Sequence, residues 1–128
     1  MARKYGHGGE GEEHKRLKQW VATHPGNIGL TGVTKCHVEY VFPSEDAADI
    51  VFELSDDHYA IVEVETWNPL PGCYQALKYR VLKCAEVGLA INSPNVEAVV
   101  VAKVCSKEIK DFCTKYDVRF VQMDKPVH

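Results

Sequence analysis

Between Asp49 and Glu65 the chain reads Asp-Ile-Val-Phe-Glu-Leu-Ser-Asp-Asp-His-Tyr-Ala-Ile-Val-Glu-Val-Glu, which sets carboxylates into two segments that otherwise have the composition of buried strands. Burying acids requires compensation. At the two-residue period of a strand, Ile61, Glu63 and Glu65 share one face and Val62 and Val64 the other, so the two glutamates point the same way. Two carboxylates about 5 Å apart repel by roughly 3 kcal/mol at an effective dielectric near 20, and a hard cation such as Mg²⁺ removes that penalty by coordinating their oxygens. A raised pKa on one acid, or an edge strand with a solvated face, would also accommodate them.

With 128 residues, 45% of them apolar, the chain suits one globular domain with a real core. Its five cysteines, Cys36, Cys73, Cys84, Cys105 and Cys113, are odd in number and contain no Cys-x-x-Cys pair. That spacing suggests neither a disulfide framework nor a thiolate zinc site, and it points to a reducing cytoplasm. No run approaches the ~20 apolar residues of a membrane span, and the first residues lack the apolar segment of a signal peptide. A formal net charge of −3 counts modestly against a phosphate-gripping surface. Lys15, Arg16, Lys18, Lys78, Arg80 and Lys83 could still form local positive patches, or simply the solvated faces of helices.

Residues 1–9 hold too little apolar surface to offset ordering entropy and read as a flexible tail, leaving residues 10–128 as the domain. From Glu10, the apolar positions Leu17, Trp20, Val21 and His24 recur at three and four, extended upstream by Glu13, and predict a helix ended by Pro25-Gly26. Acids in its first turn complement the helix dipole whether or not they serve a site. Alternation predicts strands over 36–42, 48–54 and 59–65, with Ser55–His58 as a hairpin turn. A helix follows from about Cys73 to Val87, with Tyr74, Leu77, Val81, Leu82 and Ala85 as its apolar stripe and Gly88 as its stop. The apolar run in 97–104 predicts a strand covered on both faces. Ser106 caps a helix through Tyr116, with Ile109, Phe112 and Cys113 inward, and 118–123 closes as a strand. The result is an α/β (α+β) chain of order αβββαβαβ, a central mixed sheet flanked by helices, with right-handed crossovers.

This element order, the acid Asp49 on the second strand, Glu63-Val64-Glu65 on the third and Gln75-Ala-Leu-Lys78-Tyr79 on the next helix resemble the PD-(D/E)xK nuclease superfamily, restriction-endonuclease-like and Holliday-junction-resolvase-like proteins among them. The likeness runs from Glu10 to Met123. It implies a metal-dependent nuclease acting on phosphodiester bonds of nucleic acid, with DNA the expected substrate, in processing, repair or defence. Asp49 and Glu63 would take the places of the two motif acids, holding Mg²⁺ or Mn²⁺ with the main-chain carbonyl of Val64. Glu13, with Glu10 and Glu12 as rivals, would correspond to the acid many members carry on the first helix. Gln75 and Tyr79 match the Gln-x-x-x-Tyr pattern of RecB-like members. Glu65 stands where the family carries a lysine. An acid cannot supply positive charge to a developing phosphorane, so either Glu65 assists as ligand or general base, or Lys78 projects its ammonium into the same space, or activity is lost and the domain binds nucleic acid or protein without cleaving. A small duplex-cutting chain further suggests a homodimer.

Other motifs are absent. His7, His14, His24, His37, His58 and His128 show no zinc-ligand spacing, and His14 beside the helix acids reads as a solvated helix residue. No nucleophile elbow surrounds a serine. Trp67 could stack on a base or cover the entry of the following helix.

Overall fold

The computed structural model describes residues 11–123. The expected tail, the rival acid Glu10 and the last five residues lie outside the described residues. Along the chain run α1 (Glu12–Thr23), a short 3₁₀ turn (Pro25–Ile28), β1 (Val33–Val41), β2 (Ala47–Leu54), a second 3₁₀ turn (Ser55–Asp57), β3 (His58–Glu65), α2 (Leu70–Glu86), β4 (Val96–Ala102), α3 (Lys107–Tyr116) and β5 (Val118–Gln122). The five strands lie side by side in chain order. β1, β2 and β3 pair antiparallel, whereas β3, β4 and β5 pair parallel through the α2 and α3 crossovers. This is the predicted αβββαβαβ order with its mixed sheet.

Strand alternation divides the core between the two sheet faces. Ile50 and Phe52 of β2, Ala60, Val62 and Val64 of β3, and Val99 and Val101 of β4 meet Leu17 and Val21 of α1 on one face. Val51, Ile61, Ala98 and Val100 meet the opposite layer, where α2 contributes Cys73, Ala76, Tyr79 and Cys84 and α3 contributes Ile109 and Cys113. Each of these large apolar side chains contributes about 1.5–3 kcal/mol on burial, which gives the sheet the margin to tolerate polar residues at one end.

Two helices turn differently from their expected stripes. In α2 the residues Tyr74 and Val81 are exposed at 58% and 39%, and the buried face is Gly72, Cys73, Ala76, Tyr79, Lys83 and Cys84. The small residues let the helix axis approach the strands, and the larger Tyr74 ring packs laterally against Phe112 of α3 at 4.9 Å instead. In α1 the buried residues are His14, Leu17, Lys18 and Val21, so two polar side chains turn inward where Trp20 and His24 were expected. Trp20 and His24 stack on each other at 4.4 Å on the outer side. α2 also begins three residues earlier than the pattern predicts, at Leu70, with Pro71 in its first turn, a position where the missing N–H costs nothing.

Candidate active site

The β2–β3 ladder ends at the pair Ile50 and Val62. Extending that register by one residue sets Asp49 opposite Glu63. Here main-chain groups that would have continued the ladder are taken by side chains. The Asp49 N–H donates to Glu63 Oε2 at 2.8 Å, and the Val64 N–H donates to Asp49 Oδ2 at 2.8 Å. Each acid thus bridges to the opposing strand, and both are buried, at 1% and 0% exposure. Charge-assisted bonds of this kind are about twice as strong as neutral ones, which offsets part of the desolvation of the two carboxylates.

His14 reaches this end of the sheet from α1. Its Nε2 lies 2.5 Å from the Val64 carbonyl oxygen and 3.7 Å from Asp49 Oδ2. One turn further along α1, Lys18 is buried at 2% exposure and donates to Glu39 Oε1 at 3.1 Å. Glu39 belongs to β1, where the register of Val38 with Ile50 and Tyr40 with Ala48 sets it opposite Asp49. It adopts φ 55°, in the left-handed region that non-glycine residues occupy at a cost of roughly 1–2 kcal/mol. A row of three acids, Glu39, Asp49 and Glu63, therefore crosses three adjacent strands, faced by His14 and Lys18 of one helix.

Glu65 ends β3 half-buried, its side chain lying against α2 so closely that a Cβ on Gly72 would stand 2.6 Å from Glu65 Cγ. Only glycine fits there without displacing the carboxylate. A cleft of about 370 Å³ opens at this point, lined by His14, Glu65, Thr66, Asn68, Pro71 and Gln75 together with Gly11. Gln75 brings a side-chain carbonyl oxygen, Oε1, that is buried and has no hydrogen-bond partner among the described residues. A larger cleft of about 950 Å³ lies elsewhere, along α3 and β5. Its arginines are committed to structure, Arg80 to the carbonyls of Tyr116 and Asp117 and Arg119 to Glu97, and it contains no pair of buried acids.

Of the candidates, the structure brings together Asp49, Glu63 and the Val64 peptide, with Glu65 and Gln75 on the cleft wall. Tyr79 lies in the core, stacked on Phe42 at 5.4 Å. Lys78 does not join them. Its ammonium is 3.0 Å from Asp46 in the β1–β2 turn and half exposed, because the Gly72, Ala76 and Tyr79 face of α2 is the one that meets the sheet. Glu13 also departs from the expectation: it is exposed and lies 3.6 Å from Lys103, while its neighbour His14 takes the inward position. Glu12 is exposed.

Among the described residues no three His, Cys, Asp or Glu side chains form a ready cage for a metal. The donor set does fit an ion that takes two carboxylates and a carbonyl and completes its shell with water, as Mg²⁺ does. Asp49 and Glu63 each accept a strand N–H through one carboxylate oxygen, the Val64 carbonyl adjoins them, and His14 Nε2 donates to that carbonyl at 2.5 Å. None of the helices among the described residues is long and apolar enough to cross a membrane.

No protein-family model matches the sequence, and no curated protein matches it. Solved structures do resemble it. A repair endonuclease from Pyrococcus abyssi superposes with a TM-score of 0.72 at 18% identity over 91% of this chain and 49% of that one. A complex of EndoMS with double-stranded DNA gives 0.73 at 16% identity over 99% and 51%, and EndoMS in its apo form 0.66 at 17% over 91% and 48%. The chain spans about half the length of each of them. Its αβββαβαβ sheet, with three helices around five mixed strands, is thus the nuclease-like fold those structures share.

Proposed function

We propose that the chain is a divalent-metal-dependent nuclease domain of the PD-(D/E)xK type, hydrolysing phosphodiester bonds in DNA, with its site at the end of the β2–β3 ladder. The reciprocal seating of Asp49 and Glu63 on each other's strands carries this reading. It fixes two buried carboxylates side by side beneath the end of the sheet, an arrangement whose electrostatic cost is relieved by a cation. The fold shared with repair endonucleases, one of them solved with double-stranded DNA, supports DNA as the substrate.

Asp49, Glu63 and the Val64 carbonyl would hold Mg²⁺ or Mn²⁺, with His14 orienting that carbonyl through its Nε2–H. When bound, such an ion stabilises charge on phosphate oxygens and acidifies water. The remaining work falls to the chain's own groups. Strand N–H groups hold the carboxylates against rotation. Glu65, which shares the cleft lining with Gln75, would accept a proton from water, and Gln75 Oε1 would orient that water or a substrate hydrogen. A symmetric pair of such domains would address both strands of a duplex.

A second reading has its own support. Lys78 is bound to Asp46, Glu65 replaces the family's lysine, and a fold with those features could bind DNA without cutting it. Titration with Mn²⁺ followed by cleavage of plasmid and oligonucleotide DNA separates the two. The nuclease reading expects metal-dependent cleavage lost in Asp49→Asn and Glu63→Gln. Metal indifference, or equal cleavage by wild type and both variants, overturns it, and DNA binding without cleavage selects the second. Light scattering that gives a concentration-independent monomer would defeat the pairing.

A further inference from the structure

Trp67 follows Glu65 by two residues, and its indole is 63% exposed. Leaving a ring of that size in water forgoes about 1.5–3 kcal/mol of burial, and the molecule's other tryptophan, Trp20, is half-buried against His24. Trp67 is held in place nonetheless. Lys103 Nζ stands 5.7 Å from its ring centroid, and the Lys103 N–H donates to the Thr66 carbonyl, tying the loop after β3 to the end of β4. The ammonium is itself anchored by Glu13.

Two clefts meet on this loop. The one beside Glu65, with His14 and Gln75 in its walls, and a second of about 350 Å³, bounded by Trp67, Leu70 and Ile109, both include Asn68. Asn68 thus stands between a cleft that holds Glu65 and one that holds Trp67, with Glu108 also in the second and the Lys103 ammonium beside the indole. A planar, weakly polar ring linked to an anionic backbone is complementary to that sequence of surfaces. Inside a duplex both faces of a base are covered by its neighbours, so away from duplex ends only an unstacked base can offer a face to Trp67.

We propose that Trp67 is a stacking platform for an unpaired base of the strand whose phosphodiester enters the cleft lined by His14, Glu65 and Gln75, making single-stranded or locally opened DNA the preferred ligand. This deepens the nuclease reading and rests on it for the location of the cleft. Stacking on Trp67 itself needs no metal.

The test uses the full chain carrying Trp20→Phe, which leaves Trp67 as the sole tryptophan, and Asp49→Asn, which prevents cleavage. Tryptophan emission is followed while oligothymidylate or a blunt hairpin duplex is added at low salt. The single strand is expected to quench the emission at concentrations at least tenfold below the duplex. By fluorescence anisotropy of labelled oligothymidylate, Trp67→Ala is expected to weaken binding by roughly 10- to 100-fold, and Trp67→Phe to retain most of it. Equal quenching by both DNAs overturns the proposal, as does unchanged affinity in Trp67→Ala, including the case where that variant alters only the oligomeric state. The ring is exposed, so melting temperatures of both variants should match the parent. A wild-type chain that shows no Mn²⁺-induced stabilisation, yet retains the quench, defeats the metal site alone; loss of the quench with metal binding intact defeats the stacking alone.

Discussion

Asp49 and Glu63 each accept or donate across the end of the β2–β3 ladder, the Asp49 amide to the Glu63 carboxylate and the Asp49 carboxylate from the Val64 amide, both at 2.8 Å. The carboxylates are therefore structural acceptors as well as potential ligands, and substitutions can separate the two roles. Asp49→Asn keeps an oxygen for the Val64 N–H and removes one of two adjacent negative charges. Its melting temperature without metal should equal or exceed that of the wild type. Asp49→Ala leaves a buried N–H unpaired and should cost about 1–3 kcal/mol. Both should abolish the rise in melting temperature on adding Mn²⁺, which in the wild type grows with the logarithm of ion concentration. A calorimetric shift with Mn²⁺ that persists in Asp49→Asn would contradict the assignment.

Gly72 and Glu65 give a second test. A methyl group at position 72 would meet Glu65 Cγ at 2.6 Å, so Gly72→Ala must push the carboxylate out of its seat or shift the start of α2. A loss of about 1–3 kcal/mol is expected, typical of overpacking. Glu65→Ala removes the obstacle, and in the double variant alanine's better helix propensity should recover most of the loss. Urea unfolding of the four proteins measures the coupling. Additive losses would mean that the contact does not constrain α2.

The contrast between acids and lysine shows which parts of the site could be read from sequence. Asp49 and Glu63 sit in strands whose period is two, so the alternation of Ile61, Glu63 and Glu65 against Val62 and Val64 determines the glutamates' face from sequence alone. Their direct opposition also follows once the hairpin at Ser55–Asp57 fixes the register. The α1 contribution was harder. His14, Leu17, Lys18 and Val21 follow the i, i+3, i+4, i+7 spacing, but hydropathy favours Trp20 and His24 for the inward stripe, which displaced the assignment by a fraction of a turn. The signal was present as spacing and hidden by polarity. On α2 Leu77 does pack against the core, but Tyr74 and Val81 do not: small residues at Gly72, Cys73 and Ala76 allow the close helix–sheet approach, and volume decides the face. Glu39 could not have been found, since its place opposite Asp49 depends on a left-handed backbone conformation inside a strand.

Lys83, Glu86 and Tyr40 should impose a distinct pH signature. Burial pushes the Lys83 ammonium toward a lower pKa, but its hydrogen bonds to Glu86 at 2.7 Å and Tyr40 at 3.3 Å outweigh this and the net shift is upward. Burial pushes the Glu86 carboxyl up, and the bonds from Lys83 and Tyr40 outweigh it and hold it below the usual range. The Lys83 contribution is therefore complete below about pH 10.4, the unfolded value, and lost as pH rises through its raised folded pKa. The Glu86 contribution is complete above about pH 4.3 and lost as pH falls through its depressed folded pKa. Lys83→Met keeps the stem packed between Tyr40 and Tyr59 and removes the charge. Its melting temperature should fall short of the wild type by a constant amount across the neutral range, corresponding to about 1–3 kcal/mol, with the gap closing at both extremes. A gap independent of pH from 3 to 12 would show that packing alone is lost.

The five thiols should divide by accessibility and by how readily they ionise. All five are free, Cys36 exposed, Cys105 partly so, and Cys73, Cys84 and Cys113 buried. Burial, reinforced by neighbouring Cys113, pushes the Cys73 thiol up to about 12, so at pH 8 only about one molecule in ten thousand carries the reactive thiolate there. Its sulfur lies 3.9 Å from that of Cys113, near enough to share a weak hydrogen bond within the α2–α3 contact. Reaction with a chromogenic disulfide at pH 8 should consume Cys36 and Cys105 in an early phase. Cys73, Cys84 and Cys113 should follow only at the rate of global opening and accelerate together in denaturant. Mass mapping after partial reaction identifies each phase. Early modification of Cys73 would mean that the first turns of α2, which carry Gly72 and Gln75 at the cleft, open independently of the sheet, and the site would then need substrate or metal to assemble it.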